Sequence, residues 1–259
     1  MSSLIEKQAA IAVTKDGPVA LITLNTPEKH NALSTTMLRD LRDELTSAQA
    51  DESIHVLVLR AAGERFFCAG IDLSSGMMSR GEDVRSSILE DFVPLVECIQ
   101  SCSKPIIASV QGGAIGLGCA LAMHCDFLVL SEDATFDFVF SSLGLVADGG
   151  TNWLLMRKLG YSVALELILE AQKLDAQRCL SLGIANKVVP RAKLDSKVAS
   201  WAQSLATRAT LPQGYAKKLM RAALAGSSLV DVVAMEAEAQ AVCIDSEHFQ
   251  NAYARFLQK

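Results

Sequence analysis

Two glycine-bearing stretches are the places where this sequence could do chemistry. One runs Gly63-Glu64-Arg65-Phe66-Phe67-Cys68-Ala69-Gly70-Ile71-Asp72-Leu73. The other runs Gln111-Gly112-Gly113-Ala114-Ile115-Gly116-Leu117-Gly118-Cys119-Ala120-Leu121. Each follows an apolar run that reads as a buried strand. A glycine just ahead of a helix lets the next backbone N–H groups point into open space, which suits an anion or a polarised carbonyl oxygen. Two such turns, leaving neighbouring strands of a parallel sheet, aim two donors at one point and make an oxyanion hole. On spacing alone, two turns that use glycine for positive φ fit equally well. The second stretch lacks G-x-G-x-x-G order and lies mid-chain, so it is not a dinucleotide fingerprint.

Other reactive side chains offer less. Cys68 and Cys119 flank the turns, but a nucleophilic cysteine wants a histidine or cation beside it. His124 lies one helical turn from Ala120 and reads more readily as a satisfied structural histidine. No G-x-S-x-G elbow is present, so a serine hydrolase of the usual type is unsupported. The seven cysteines are odd in number, form no C-x-x-C pair and are accompanied by four histidines, so no zinc pattern emerges. They read as reduced, buried thiols, which points to a reducing, cytoplasmic setting. The start, MSSLIEKQ, lacks the build of a signal peptide.

The elements that must position these turns follow from periodicity. Ala10–Val13 and Val19–Leu24 are β-rich and flank the turn Lys15-Asp16-Gly17-Pro18. Ser34 reads as an N-cap, with Leu38, Leu41 and Leu45 at helical spacing up to Ala50. Val56–Leu59 and Ile106–Val110 are short and apolar, as expected of strands buried on both faces. Ile88–Ile99 and Leu117–Met123 are helical; Phe127–Leu130 and Thr135–Phe138 are strands. From Thr151 the pattern is helical almost throughout, with helix ends at Leu159-Gly160, Leu182-Gly183 and Ala225-Gly226 and a last strand at Val188-Val189-Pro190. Strands alternating with helices predict an α/β fold with a parallel sheet.

Composition narrows the classes further. The chain has 259 residues, half of them apolar, and a net charge of -5. It is too apolar to be disordered and too acidic for a phosphate-tracking nucleic-acid surface. Pro105–Met123 is apolar enough to suggest a membrane span, but Gly112, Gly113, Gly116 and Gly118 break it into strand, turn and helix.

Several segments, in order along nearly the whole chain, resemble the crotonase superfamily of enoyl-CoA hydratases, isomerases and relatives. They are Leu24-Asn25-Thr26-Pro27 with Asn31-Ala32-Leu33, Cys68-Ala69-Gly70-Ile71-Asp72-Leu73, Gly116-Leu117-Gly118 with Cys125-Asp126, Leu143-Gly144-Leu145, and Ser181-Leu182-Gly183-Ile184-Ala185. The resemblance implies a crotonase-like spiral of ββα units. It implies a core over 1–195 that holds the CoA-thioester site, and a helical region over 196–259 that assembles a homotrimer or dimer of trimers. It implies an acyl-CoA thioester substrate, no metal and no separate cofactor, since coenzyme A is part of the substrate. The oxyanion donors would be the N–H groups of Ile71, after Gly70, and Leu117, after Gly116, with Ala69 and Phe140 also lining the substrate site.

The departures from the family pattern bear on the reaction. Hydratases of the family use two glutamates, and their positions hold Ala120 and Phe140. Neither can activate water or manage a proton. One acid stands nearby: Asp148, four residues after Gly144. The run Asp148-Gly149-Gly150-Thr151 with Trp153 and Leu154-Leu155 resembles single-acid isomerases such as the ring-epoxide isomerase of phenylacetate breakdown. This implies an enoyl-CoA isomerase with Asp148 as proton shuttle, its pKa raised by Phe140, Leu145, Val146 and Trp153. A hydratase, hydrolase or dehalogenase, or a silent acyl-CoA-binding homologue, is the alternative. Sequence physics also allows Asp148 to be the N-cap of a helix beginning near Gly150. A capping carboxylate is committed to backbone N–H groups, so the two roles compete. Asp72 reads as structural and Asp137 as at most an auxiliary acid. Lys29, His30 and Arg65 flank motifs that line the CoA channel in relatives, and Lys259 lies in a C-terminal segment that sometimes contributes in trans, but each reads more readily as a solvated surface charge. Met77, Met78 and Leu89 fall where relatives shape the acyl pocket.

Overall fold

A computed structural model describes residues 9–75 and 80–258. The chain begins with β1 (Ile11–Asp16), β2 (Val19–Leu24), α1 (Thr35–Ala50), β3 (Val56–Ala61) and β4 (Phe66–Cys68). It continues through α2 (Gly81–Ser87), α3 (Val93–Ser101), β5 (Ile106–Val110), β6 (Gly113–Ile115), α4 (Leu117–His124), β7 (Phe127–Ser131) and β8 (Thr135–Asp137). Then come α5 (Thr151–Leu159), α6 (Tyr161–Leu169), β9 (Lys173–Asp175), α7 (Ala176–Ser181), β10 (Lys187–Val189) and α8 (Leu194–Ala206). The last helices are α9 (Thr210–Ala225), α10 (Leu229–Ile244) and α11 (Glu247–Leu257).

The strands form two sheets that the chain visits in alternation. The larger has the order β1-β2-β3-β5-β7-β10 and is parallel except for the β1–β2 hairpin. The smaller has the order β4-β6-β8-β9, parallel except at β9. Successive strands of one turn therefore lie in different sheets, with a helix closing each turn. This is the spiral that the sequence resemblance implies.

Local chemistry explains the framework. The Ser34 hydroxyl accepts from the Met37 N–H at 3.2 Å and caps α1, which buries Met37, Leu38, Leu41, Leu45 and Ala48 on one stripe. β3 and β5 are buried on both faces, as their unbroken apolar runs predict. One side of the large sheet joins the main core; the other takes α8 through Leu194, Val198, Ala202 and Ala206.

Three expectations are corrected. Ile88–Ile99 is not one regular helix: a π turn over Ile88–Phe92 precedes α3. It ends just before Pro94, which has no N–H for the helical ladder. β6 lies within a stretch read as a turn, and β9 interrupts a region read as helical up to Val188. Each has three residues, too few to show a period of two. α8 packs on the large sheet. The helices that bury almost nothing begin at α9, since α9 and α11 have no buried residue and α10 only Ala239.

Candidate active site

The two glycine turns meet. β4 and β6 are parallel neighbours, so the turns that leave their C-terminal ends emerge side by side. The contact is too close for side chains at two points. A β-carbon on Gly70 would lie 2.9 Å from the Ile115 carbonyl oxygen and 3.7 Å from the Leu117 nitrogen. A β-carbon on Gly118 would overlap the Cys68 carbonyl oxygen.

Each turn then leaves one N–H unused. Leu33 forms a parallel bridge with Ile71: the Leu33 N–H donates to the Gly70 oxygen at 2.7 Å, and the Asp72 N–H to the Leu33 oxygen at 2.9 Å. In a parallel ladder this pattern turns the N–H of the middle residue, Ile71, away from the bridging strand. The Ala69 N–H donates to His30 at 3.0 Å and anchors the start of the turn. Across the gap, Gly116 has φ +51 and donates to the Asp137 oxygen at 2.9 Å. Leu117 is the first residue of α4, where no intrahelical acceptor exists for its N–H. The Ile71 and Leu117 amides thus stand free among the described residues, and the helix dipole favours negative charge at the second.

Neighbouring residues of the motif are structural. Asn31 is buried with φ +53. Its amide donates to Ala62 and Phe66 oxygens at 2.9 and 3.2 Å, and its oxygen accepts from the Thr26 N–H at 2.9 Å. Asp72 accepts from Lys29 Nζ at 2.9 Å and from the Ser74 hydroxyl and N–H, and these bonds, Ser74's first, lower its pKa. Lys29 is thereby engaged with a carboxylate. Arg65 stands exposed over the Phe66 ring, at the opposite end of β4 from the free amides. Asp137 alternates with the buried Phe136 and so occupies the other face of the small sheet, opposite Lys173 on β9. Burial raises its pKa and Lys173 partly offsets this.

Asp148 does not cap a helix. Gly150 holds the N-cap position of α5 and there is no side-chain cap bond. The Asp148 Oδ1 is buried without a hydrogen-bond partner, and so is the Thr151 hydroxyl. Burial raises the Asp148 pKa above the ordinary carboxylate value. The loop lies against α4: a β-carbon on Gly149 would overlap Leu117 and lie 3.1 Å from the Ala120 β-carbon and 3.2 Å from the Phe92 ring. Phe140, 5% exposed, stands beside Gly116, its ring 3.8 Å from where a β-carbon would sit. Of the apolar neighbours expected for Asp148, only Phe140 is buried. Leu145, Val146 and Trp153 are 43%, 83% and 42% exposed. The residue missed is Phe92, which the π turn delivers and whose place no sequence period signals.

The thiols beside the turns are inert. Burial pushes Cys68 up to about 12 and Cys119 well above its ordinary value. His124 is satisfied at both ring nitrogens, with Nε2 2.8 Å from the Gly149 oxygen and Nδ1 3.4 Å from the Gln100 amide. Leu89 is 49% exposed, and Met77, Met78 and Lys259 lie outside the described residues.

The enoyl-CoA hydratase/isomerase family model matches residues 14–259. The chain belongs to this family. Family relatives similar to it include a protein named probable enoyl-CoA hydratase from Rhodobacter capsulatus, 32% identical over 93% of this chain and 92% of that protein. The 1,2-epoxyphenylacetyl-CoA isomerase of Escherichia coli is also 32% identical over 93% of this chain and 92% of its own. A crystal structure of enoyl-CoA hydratase from Bacillus anthracis superposes with a TM-score of 0.92 at 27% identity, covering 96% of both chains. The fold is therefore the crotonase fold and the protein a CoA-thioester enzyme. Within that family the two glutamate positions implied by the sequence resemblance are filled by Ala120, wholly buried under Gly149, and Phe140. Among the described residues, no helix is long and apolar enough to cross a membrane.

Proposed function

We propose that the protein is an acyl-CoA isomerase that moves a C=C bond from the 3- to the 2-position of an enoyl thioester. The observation that carries this reading is the buried, unpartnered Oδ1 of Asp148, held on the loop that packs against the Leu117 side chain. The thioester oxygen would take hydrogen bonds from Ile71 and Leu117. Asp148 removes a proton from C2, and the electron pair enters a dienolate held by the two amides. The dienolate then collapses: the oxygen re-forms the C1=O bond, the C1=C2 pair moves to C2=C3, and the C3=C4 pair takes the proton back at C4. One carboxylate serves both transfers, and a correctly positioned base contributes about 10²–10⁴ in rate. The apolar wall of Phe92, Phe140 and Leu117 limits water at the dienolate, which favours isomerisation over hydration. No metal or redox cofactor enters these steps.

We further infer that α9–α11 are the assembly region and that their occupant is a second copy of this chain. Met220, Leu229, Val230, Phe256 and Leu257 are each at least 66% exposed on those helices in the single chain.

Hydration is the second reading, since relatives also carry that name. Turnover of 3-enoyl-CoA thioesters, with products identified by mass and NMR, separates the two. A 2-enoyl product of unchanged mass, lost by about 10²-fold or more in Asp148→Asn, supports the isomerase. A product heavier by one water, retained in that variant, overturns it.

A further inference from the structure

Asp148 sits on a loop with little to hold it. Gly149 and Gly150 follow it at φ +60 and +81, and no side chain caps α5 behind them. Among the described residues, three hydrogen bonds hold the backbone from Ala147 to Gly149. Asn152 donates to the Ala147 oxygen at 2.7 Å, the Thr151 N–H to the Asp148 oxygen at 2.9 Å, and His124 Nε2 to the Gly149 oxygen at 2.8 Å. The first two come from the first turn of α5, which directly follows the loop. The third, among the described residues, ties the loop across to α4.

We propose that His124 is a positioning residue that sets Asp148 against the oxyanion amides. The proposal rests on the reading of Asp148 as the proton carrier. α4 begins with the Leu117 amide and ends with His124, seven residues or about 10 Å along one rigid rod. One helix therefore holds one oxyanion donor at its start and hangs the base from its end. The ring is specified for this bond. Gln100, on α3, presents its amide N–H₂ to Nδ1, which makes Nδ1 the acceptor and leaves the proton on Nε2 for Gly149. Phe92 lies against one side, ring centres 6.2 Å apart, and a β-carbon on Gly150 would lie 3.2 Å from Nε2. Burial lowers the imidazole pKa, the bond to the Gly149 oxygen partly offsets this, and the Arg221 guanidinium on α9 lowers it further. Arg221 faces the imidazole and is itself paired with the Asp126 carboxylate, which Lys217 also binds.

The test compares His124→Leu, which fills the space without a donor, with His124→Gln, which restores an N–H near Nε2. A base displaced by about 1 Å loses about 10² in rate, so His124→Leu should lower kcat on a 3-enoyl-CoA about 100-fold while KM moves less than about threefold. The acid limb of its kcat–pH profile should shift to lower pH, because the released carboxylate becomes hydrated. His124→Gln should recover kcat to within about tenfold of wild type and return the limb. Wild-type kcat in His124→Leu overturns the proposal. Equal loss in both variants with an unmoved limb overturns it too, since that is the mark of packing alone. Hydrogen exchange of the 147–152 backbone supplies a readout independent of turnover. It should quicken in His124→Leu and not in His124→Gln; unchanged exchange in both overturns the proposal. If wild type does not turn over 3-enoyl-CoA, or Asp148→Asn keeps the rate, it is the isomerase reading that fails, and the exchange result alone decides whether His124 holds the loop.

Discussion

A buried carboxylate oxygen with no partner, as at Asp148, weakens the folded chain and prepares a base. Its pKa is raised in the folded state, so the native protein holds the proton more tightly than the unfolded chain does. Its stabilising contribution is therefore full below the ordinary value of 3.8 and is lost as pH rises through the folded pKa. Asp148→Asn should be inactive yet more stable at pH 7. Relief of about 1 kcal/mol would raise the melting temperature by about 2–4 °C, a gain that scanning calorimetry should see vanish below pH 4. In activity the direction reverses: kcat rises with pH through the same pKa, because only the carboxylate accepts the proton. Gly70 governs the other half of the site. With φ +89 and a β-carbon that would intrude between Ile115 and Leu117, Gly70→Ala should separate the two amides. The expected loss in kcat is about 10²–10³, the usual effect of losing one oxyanion donor, with the far-ultraviolet dichroism unchanged.

At the scale of elements, α4 is the hinge pin of the site. Its first turn presses on β4 through Gly118, its middle carries the buried Ala120 beneath Gly149, and its end binds the Asp148 loop. Gly118→Ala would drive a methyl into the Cys68 carbonyl. The gain in helix propensity is about 1 kcal/mol, while overpacking costs about 1–3 kcal/mol, so the urea midpoint should fall and turnover with it. An unchanged midpoint would mean that α4 can shift away from β4 freely. α1 was legible from its Ser34 cap and its apolar stripe, and β3, β5, β7 and α4 from unbroken apolar runs bounded by turn residues. The π turn before Pro94 was not, since a helix that widens by one residue leaves the apolar pattern almost intact. β6 and β9 were not, because three residues carry no period.

At the scale of the whole molecule, α9 ties the C-terminal helices to the core. The Asp126 carboxylate accepts from the Ile106 N–H at 2.8 Å and pairs with Lys217 at 2.6 Å and Arg221 at 3.0 Å, both on α9. Beyond this clamp α10 and α11 expose Leu229, Val230, Phe256 and Leu257. If copies of the chain cover that surface, light scattering should give a mass near three or six times 27.7 kDa. Leu229→Asp with Phe256→Asp should then reduce it to a single chain. A wild-type mass of one chain would show that the apolar helices have no such partner. The exposed Leu145, Val146 and Trp153 beside the site belong to the same question. In an oligomer with a partner across this loop they would be covered, and Asp148 would become drier.

The glycines of the two turns, the Asn31-Ala32-Leu33 motif, the absence of acids at Ala120 and Phe140, and the isolated Asp148 are all properties of the one-dimensional string. They suffice for the fold family and for the chemistry available, because backbone donors depend on glycine and spacing rather than on contacts. Whether Asp148 was a cap or a free carboxylate could not be read there. Both roles want the same acid at the same distance from a helix start, and only the direction of its side chain separates them. That direction was decided by tertiary packing: Gly150 took the cap position, while His124 and Phe92, from α4 and the π turn, fixed the loop from the side. The same holds for the apolar wall. Hydrophobicity names candidates for burial, but which of them face a given carboxylate depends on where distant elements lie, and no local pattern records that.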